Sequence, residues 1–318
     1  MSFTFHEGER AVQRRAEGFD VADRIAAHIT PEISPPIAAF VADQPFVVLA
    51  ARDRAGRVWA TLLHGAPGFA RAADAETLVI DAPFAPGDPL GDALIGAPAD
   101  VGLLAIEPAT RQRVRLNGSA ISDGRRTVVR TREVYGNCPK YISARTVIGA
   151  GSPGSPGSGE PEPGPAPAPV TDALDAAQQA LVARTDTLFV ATAHPAHGAD
   201  ASHRGGDAGF VTVADARHLS LPDYAGNTMY MTLGNLTADP RAGLLVPDFE
   251  RGDLLLVSGE ATIDWSPERA ASMPGAQRVV DVAVDRVVQL PGALPLRWTP
   301  AQRSRFTPPA PAPAAPVG

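Results

Sequence analysis

A single cysteine, Cys138, stands among 318 residues. One thiol cannot close an internal disulfide, and such sparing use suits a reducing compartment, so the expected location is cytoplasmic. Basic clusters are missing as well. The net charge is −7 with no Lys/Arg block, which argues against a nucleic-acid partner, because holding a phosphate backbone requires clustered cations. No apolar run is long enough to span a bilayer, and the first ten residues, Met-Ser-Phe-Thr-Phe-His-Glu-Gly-Glu-Arg, have no charged leader followed by an apolar stretch. A membrane is therefore not expected as a partner. What the chain does have is 44% hydrophobic residues, enough to bury a core, and a length that suits two domains.

Three helices are expected first. Thr4 and Glu7 form a capping-box pattern for a helix to about Glu17, stopped by Gly18. A second fits Val21 to Ile29, and a third Ile37 to Asp43, with Ser34 as N-cap and Pro35 and Pro36 in its first turn. Strand patterns follow at Phe46–Ala51, Val58–Leu63, Thr77–Ile80, Ala99–Ile106, Gln112–Ala120 and Thr127–Thr131. The second half repeats the plan. Gly68-Phe69 matches Gly209-Phe210, Gly102-Leu-Leu matches Gly243-Leu-Leu, and Gly118 matches Gly259, each 141 residues apart (209−68, 243−102, 259−118). One offset shared by three turn-and-strand marks points to two copies of one domain. The second copy is expected to hold a helix at Leu174–Arg184 and strands at Thr187–Ala193, Gly209–Val213, His218–Leu221, Ala242–Pro247 and Leu254–Ile263.

The expected fold class is mainly β, a β-barrel with short helices, in which closure removes exposed sheet edges. Residues 1–148 would hold the N-terminal helices and the first copy, and 170–300 the second. Between them, 149–169 is nearly all Gly, Pro, Ser, Glu and Ala, a composition that buries no core and reads as a disordered linker; 301–318 reads as a flexible tail. The linker contains Gly149-Ala-Gly151-Ser-Pro-Gly154, a formal dinucleotide fingerprint, but this fingerprint needs a strand before it and a helix after it, and here Pro-Gly repeats follow.

Chemistry concentrates between Asp200 and Asn235. Arg204 can take two phosphate oxygens at once. Ser202, Thr232 and the backbone amides beside Gly205, Gly206 and Gly226 add uncharged donors, and a helix starting near Asn227 would add its free N-terminal amides. His194, His197, Asp200 and His203 recur every three residues, yet Pro195 and Gly198 prevent the single helix that would align them, and no metal is expected. In Tyr135-Gly-Asn-Cys-Pro-Lys-Tyr141, Lys140 could reach a phosphate or a substrate anion. Cys138 is either a thiolate activated by Lys140 or a packed apolar residue.

The order Asp200-x-Ser-x-Arg-Gly205, Gly209-Phe-Val, Leu221-Pro-Asp, Gly226-Asn227, Leu233-Gly-Asn-Leu and Asp239-Pro-Arg with Gly243-Leu-Leu resembles the pyridoxamine 5'-phosphate oxidase-like group of FMN-binding split barrels. The resemblance runs from about Thr187 to Trp265 and extends loosely into the first half. His203 departs from it, standing where relatives often carry proline, and so does Met231, where they often carry a polar or basic group. In that group these loops hold the FMN phosphate and ribityl chain, and the Asn137-Cys-Pro-Lys-Tyr-Ile element lies near the flavin cleft. The resemblance therefore implies FMN contacts at Ser202, His203, Arg204, Gly205, Asn227, Thr232, Asn235 and Lys140. It also implies two tandem split barrels paired as an intramolecular pseudo-dimer, with a homodimer left open. The first copy has Leu62-Leu63-His64-Gly65 where the second has Ser202-His203-Arg204-Gly205, and Gly87-Asp-Pro-Leu-Gly-Asp92 in place of Gly226-Asn227, so its site should be degenerate. The implied activity is an FMN-dependent oxidoreductase acting on a small-molecule substrate or electron donor, with no general acid or base evident. The alternatives are a non-catalytic flavin- or haem-binding module, haem taking His194, His197 or His203 as axial ligand, and a pseudo-dimer that has lost its cofactor.

Overall fold

The computed structural model describes residues 3–150 and 169–309. Most of the expected linker and the end of the expected tail lie outside the described residues. The first helix, α1 (Glu7–Arg15), is capped two residues later than Thr4 and Glu7 suggest. Its N-cap is His6, whose Nδ1 accepts from the amides of Gly8 and Glu9, while the Glu9 carboxyl group accepts from the His6 amide at 2.9 Å. The shift has a tertiary cause, because His6 Nε2 is tied to Asn235 Oδ1 at 3.0 Å. Helix α2 (Phe19–Ala26) and helix α3 (Pro35–Asp43) follow, and Ser34 sits at the N-cap of α3 without a side-chain cap bond.

Seven antiparallel strands then form the first sheet: β1 (Phe46–Arg52), β2 (Val58–His64), β3 (Ala70–Asp74), β4 (Thr77–Ile80), β5 (Ala99–Glu107), β6 (Gln112–Ser122) and β7 (Thr127–Gly136), ordered β2-β1-β5-β6-β7-β4-β3. After β8 (Val147–Ala150) and helix α4 (Ala176–Arg184) comes the second sheet. Its strands are β9 (Thr187–His194), β10 (Gly198–Gly205), β11 (Thr212–Asp215), β12 (His218–Tyr224), β13 (Arg241–Asp248), β14 (Asp253–Asp264) and β15 (Ala276–Leu290), ordered β10-β9-β13-β14-β15-β12-β11. Helix α5 (Met231–Ala238) joins β12 to β13 and α6 (Pro267–Ala271) joins β14 to β15. The two orders are the same permutation. Even the register repeats: Phe46 faces His64 as Thr187 faces Gly205, both shifted by 141.

Four local expectations change. Strand β10 replaces an expected loop, β3 and β15 form where no element is expected, and Gly209 to Val211 forms a turn leading into β11. The helix expected from Asn227 begins only at Met231, after a loop. Gly149 and Ala150 pair with β16 (Leu296–Trp298), and Gln302 bridges to Ala144, so the chain at both points is held in short antiparallel contacts.

The glycines that mark the repeat are places where backbones meet. A Cβ on Gly102 would lie 2.6 Å from the Asp200 Cα, and one on Gly243 would lie 2.7 Å from the Trp59 Cα. These are reciprocal contacts, since Gly102 and Gly243 differ by 141, as do Trp59 and Asp200. The apolar core of the first sheet runs across this seam to Phe189, Ala191, Leu245 and Leu256 of the second. Gly102→Ala is therefore expected to lower stability by about 1–3 kcal/mol by overpacking the seam, read as a shift of the urea midpoint.

Candidate functional site

A pocket opens where the two halves meet. The first half contributes Arg113 and Arg115 from β6 and the stretch Asn137–Tyr141 after β7; the second contributes the end of β10, the end of β12, the loop 225–230 and the first turn of α5. Two residues apart on a strand, Arg113 and Arg115 project to the same face. Its enclosed part measures ≈ 90 Å³. Gly205 is required here, because a Cβ would lie 2.0 Å from the Tyr141 carbonyl oxygen of the other half.

Charge in the pocket is unbalanced. Arg115 pairs with Asp200 at 3.0 Å and donates to the Tyr135 hydroxyl at 3.1 Å and to Ser202. Burial opposes its charge most strongly, but Asp200, Tyr135 and Glu133 together outweigh it and raise its pKa. Arg278 lies 3.2 Å from Asp223, its guanidinium over the Trp265 ring, and Arg204 lies 3.9 Å from the same carboxylate. Among the described residues Arg113 has no carboxylate partner. Its Nη2 donates to the Cys138 carbonyl at 2.7 Å, and burial, with Arg115 and Arg204 alongside, lowers its pKa to about 9. Lys140, the only lysine of the chain, stands at the rim. Three guanidiniums, those of Arg113, Arg115 and Arg204, and an ammonium thus line the pocket with one carboxylate, Asp223, while Arg278 and Asp200 stand behind the wall. Among the described residues Arg113 Nε, Arg115 Nε, Arg278 Nε, Asn137 Nδ2 and both ring nitrogens of His203 are buried without hydrogen-bond partners, as are the acceptors Asp200 Oδ1 and Asp223 Oδ2. Burial holds His203 neutral, with Arg113 and Arg204 adding to the effect. Unsatisfied buried donors around an excess of positive charge suit an anion rich in oxygen acceptors, such as a phosphate.

Of the residues expected from sequence, His203, Arg204, Gly205, Asn227, Thr232 and Lys140 line this pocket. Ser202 stands behind the wall, bonded to Asp200 at 2.9 Å and Thr232 at 2.7 Å. Asn235 is also behind it, between His6 and Thr192 Oγ1 at 3.1 Å. Cys138 lines the pocket, half-buried. His194 and His197 gather instead around His6, with ring centroids 4.3 and 5.3 Å from it, and no group able to hold a metal ion occurs among the described residues. Sequence reasoning missed Arg113, Arg115, Arg278 and Asp223. The pair Arg113-Val-Arg115 carried a signal, two guanidiniums on one face of a strand in a barrel.

The equivalent place in the other half is filled. Strand β14 matches β6 with the 141 offset, and β15 matches β7 with an offset of 153, since Gly118 faces Thr131 where Gly259 faces Val284 (284−131). Arg113 and Arg115 thereby correspond to Leu254 and Leu256, Tyr135 to Val288, and Asn137 to Leu290. The β2/β10 register aligns Thr61 with Ser202, Leu62 with His203 and Leu63 with Arg204, one residue away from the alignment expected by sequence. All these apolar side chains belong to one buried cluster. Leucines occupy the mate of the charged pocket.

Residues 174–301 match the family model for pyridoxamine 5'-phosphate oxidase. Solved structures with some likeness include a protein described as a pyridoxamine 5'-phosphate oxidase from Lactobacillus delbrueckii, 20% identical over 37% of this chain and 94% of its own, with a TM-score of 0.30. HupZ of Group A Streptococcus is 15% identical over 36% of this chain and 92% of its own, at 0.29. A pyridoxamine 5'-phosphate oxidase-related FMN-binding protein from Nostoc punctiforme is 13% identical over 33% and 74%, at 0.26. At these scores none of the three bears on function. No curated protein matches the chain, and among the described residues no helix is long and apolar enough to cross a membrane.

Proposed function

We propose that this chain, whose residues 174–301 match the family model for pyridoxamine 5'-phosphate oxidase, holds one FMN between its halves and acts with it as an oxidoreductase on a small molecule. The observation that carries the reading is Arg113, a half-buried guanidinium whose enclosed Nε has no partner and which has no carboxylate among the described residues, with further unpaired donors around it. The donor set fits a phosphate. When bound, FMN supplies hydride or electron transfer. Arg113 and Arg204 would hold the phosphate from the two halves, with Lys140 adding charge at the rim. Beneath them Asp200, Ser202 and Thr232 keep Arg115 in place.

The Tyr141 and Tyr224 rings lie 5.0 Å apart at the mouth. Burial raises the Tyr224 pKa to about 12, with Asp207 adding to it, so its hydroxyl stays protonated. Neither Tyr224, His203 nor Arg113 has a pKa near neutrality. This supports a reaction in which those groups bind and orient while the transfer itself needs no protein acid or base.

Cofactor released from denatured protein tests the proposal. One FMN per chain is expected, because the mate of the pocket is packed with leucine. A ratio near two would show that the mate also binds, and a haem spectrum in place of the flavin one would transfer the site to the other cofactor.

A further inference from the structure

The loop 225–230 forms one wall of the pocket and is strained. Thr228 has φ 63 and Tyr230 φ 58, a left-handed backbone that is costly for a β-branched threonine and persists only where surroundings enforce it. Little within the loop does so. Tyr230 is the N-cap of α5 and makes no side-chain cap bond; Asn227 Oδ1 accepts from the Met229 amide at 3.2 Å.

The start of the loop is tied to the first half, with Asn227 Nδ2 donating to Asn137 Oδ1 at 2.9 Å and the Tyr141 hydroxyl donating to the Ala225 carbonyl at 2.8 Å; at residues 228–230 the N-terminal helices add their contacts. Gln13, fully buried on α1, donates from Nε2 to the Met229 carbonyl at 3.0 Å. Gly18 lies so close that a Cβ there would be 3.0 Å from the Thr228 Cβ and 3.2 Å from the Tyr230 ring. Farther along, α1 and α5 meet through Gly8 and Gly234; a Cβ on Gly234 would lie 2.6 Å from the Glu9 Cα. Met229 and Met231 are buried in a cluster with Phe5, Ala22 and Ile29. All these N-terminal residues lie outside the stretch that matches the family model.

We infer that α1 is a positioning element of the pocket: Gln13 fixes the strained loop 225–230, and the docking of the N-terminal helices and the binding of a ligand in the pocket strengthen each other. Gln13 does not line the pocket, so it acts through Met229. Because coupling between two equilibria is reciprocal, a bound ligand must hold α1 down as much as α1 improves binding. That the ligand is FMN rests on the function proposed above; the mechanical link does not.

Trypsin reads the docking of α1 directly, since its last turn carries the exposed pair Arg14 and Arg15. In the full chain, FMN is expected to slow cleavage after Arg14 and Arg15 at least severalfold. Gln13→Met keeps the side-chain length and leaves the Met229 carbonyl unpaired. It should speed amide exchange across residues 225–232, weaken FMN about tenfold, the effect of losing one buried hydrogen bond, and remove most of the protection of Arg14 and Arg15 by FMN. A contact that only stabilised the fold would speed basal cleavage and leave the protection ratio unchanged, which overturns the inference. Unchanged exchange across 225–232 overturns it too. If Gln13→Met does not fold, Gly18→Ala, which presses on Thr228 and Tyr230 on either side of Met229, is expected to give the same three effects. Should the wild-type chain bind no FMN, the flavin reading fails, and exchange across 225–232 still decides the link between Gln13 and the loop.

Discussion

Arg113→Leu is expected to weaken FMN by roughly ten- to a hundredfold, the value of a charge-assisted contact of about 1.5–3 kcal/mol, and to change riboflavin affinity little, because riboflavin lacks the phosphate. Flavin-fluorescence titrations of both ligands, with circular dichroism to confirm the fold, measure this. Leucine is the apt replacement, since Leu254 occupies the equivalent position of the filled half. The apoprotein should respond in the opposite direction. A half-buried guanidinium without a carboxylate costs folding energy, and an apolar side chain of similar size removes that cost, so the Arg113→Leu apoprotein should melt higher than wild type. Arg204→Ala should act less selectively, for Asp223 then keeps only Arg278. Equal losses for FMN and riboflavin in Arg113→Leu would place the phosphate elsewhere.

Glu9→Gln should remove most of a pH dependence of stability. Burial raises the Glu9 pKa to about 9, with Glu133 and Asp200 nearby adding to the shift. Between its unfolded value near 4.5 and 9 the folded chain therefore binds one proton more than the unfolded chain, and stability falls as pH rises, by up to about 1.4 kcal/mol per pH unit. His6 works in the opposite sense at lower pH. Burial depresses its pKa to about 4, with a smaller contribution from His194, so from 4 to 6.5 the unfolded chain holds the extra proton and stability rises with pH. The two slopes offset each other up to about pH 6.5, and above it Glu9 prevails. Calorimetric scans from pH 6.5 to 9 should show the wild-type melting temperature falling and that of Glu9→Gln nearly level, since glutamine still accepts from the His6 amide. Parallel curves would mean that Glu9 is ionised in the folded chain.

The repeat was legible because it is written in glycine. Gly102 and Gly243 touch the opposite half, Gly118 and Gly259 lie at bulges where a Cβ would strike a neighbouring carbonyl, and Gly68 and Gly209 turn with φ of 93 and 88. Such demands leave no choice of residue and so show in the chain. Strand β10 was hidden for the converse reason. Its Gly-Ala-Asp-Ala-Ser-His-Arg-Gly reads as a polar turn, because polar residues normally mark solvent; here Asp200 and Ser202 are buried and bonded to groups far away in sequence. Asn235 fell behind the wall for a similar reason, as its partner His6 is 229 residues distant. The pocket's second-half residues could be found from a run of neighbours. Arg113 and Arg115 are signalled as a pair by their spacing on one strand, but their place in this site is not, since only the pairing of the halves brings them to Arg204.

The leucines in the mate of the pocket also bear on how the chain behaves before any ligand arrives. A symmetric pair of half-barrels must keep two hollows, each lined with unsatisfied charge and each stabilised only by mass action once its ligand is present. Here one hollow has become permanent interior. The ligand-free molecule should be lopsided, with a flank that is complete as soon as it folds and another whose rigidity waits on an occupant. Hydrogen exchange without ligand should be slow around Leu254, Leu256 and Leu63 and faster around their charged counterparts, and saturating ligand should slow only the latter.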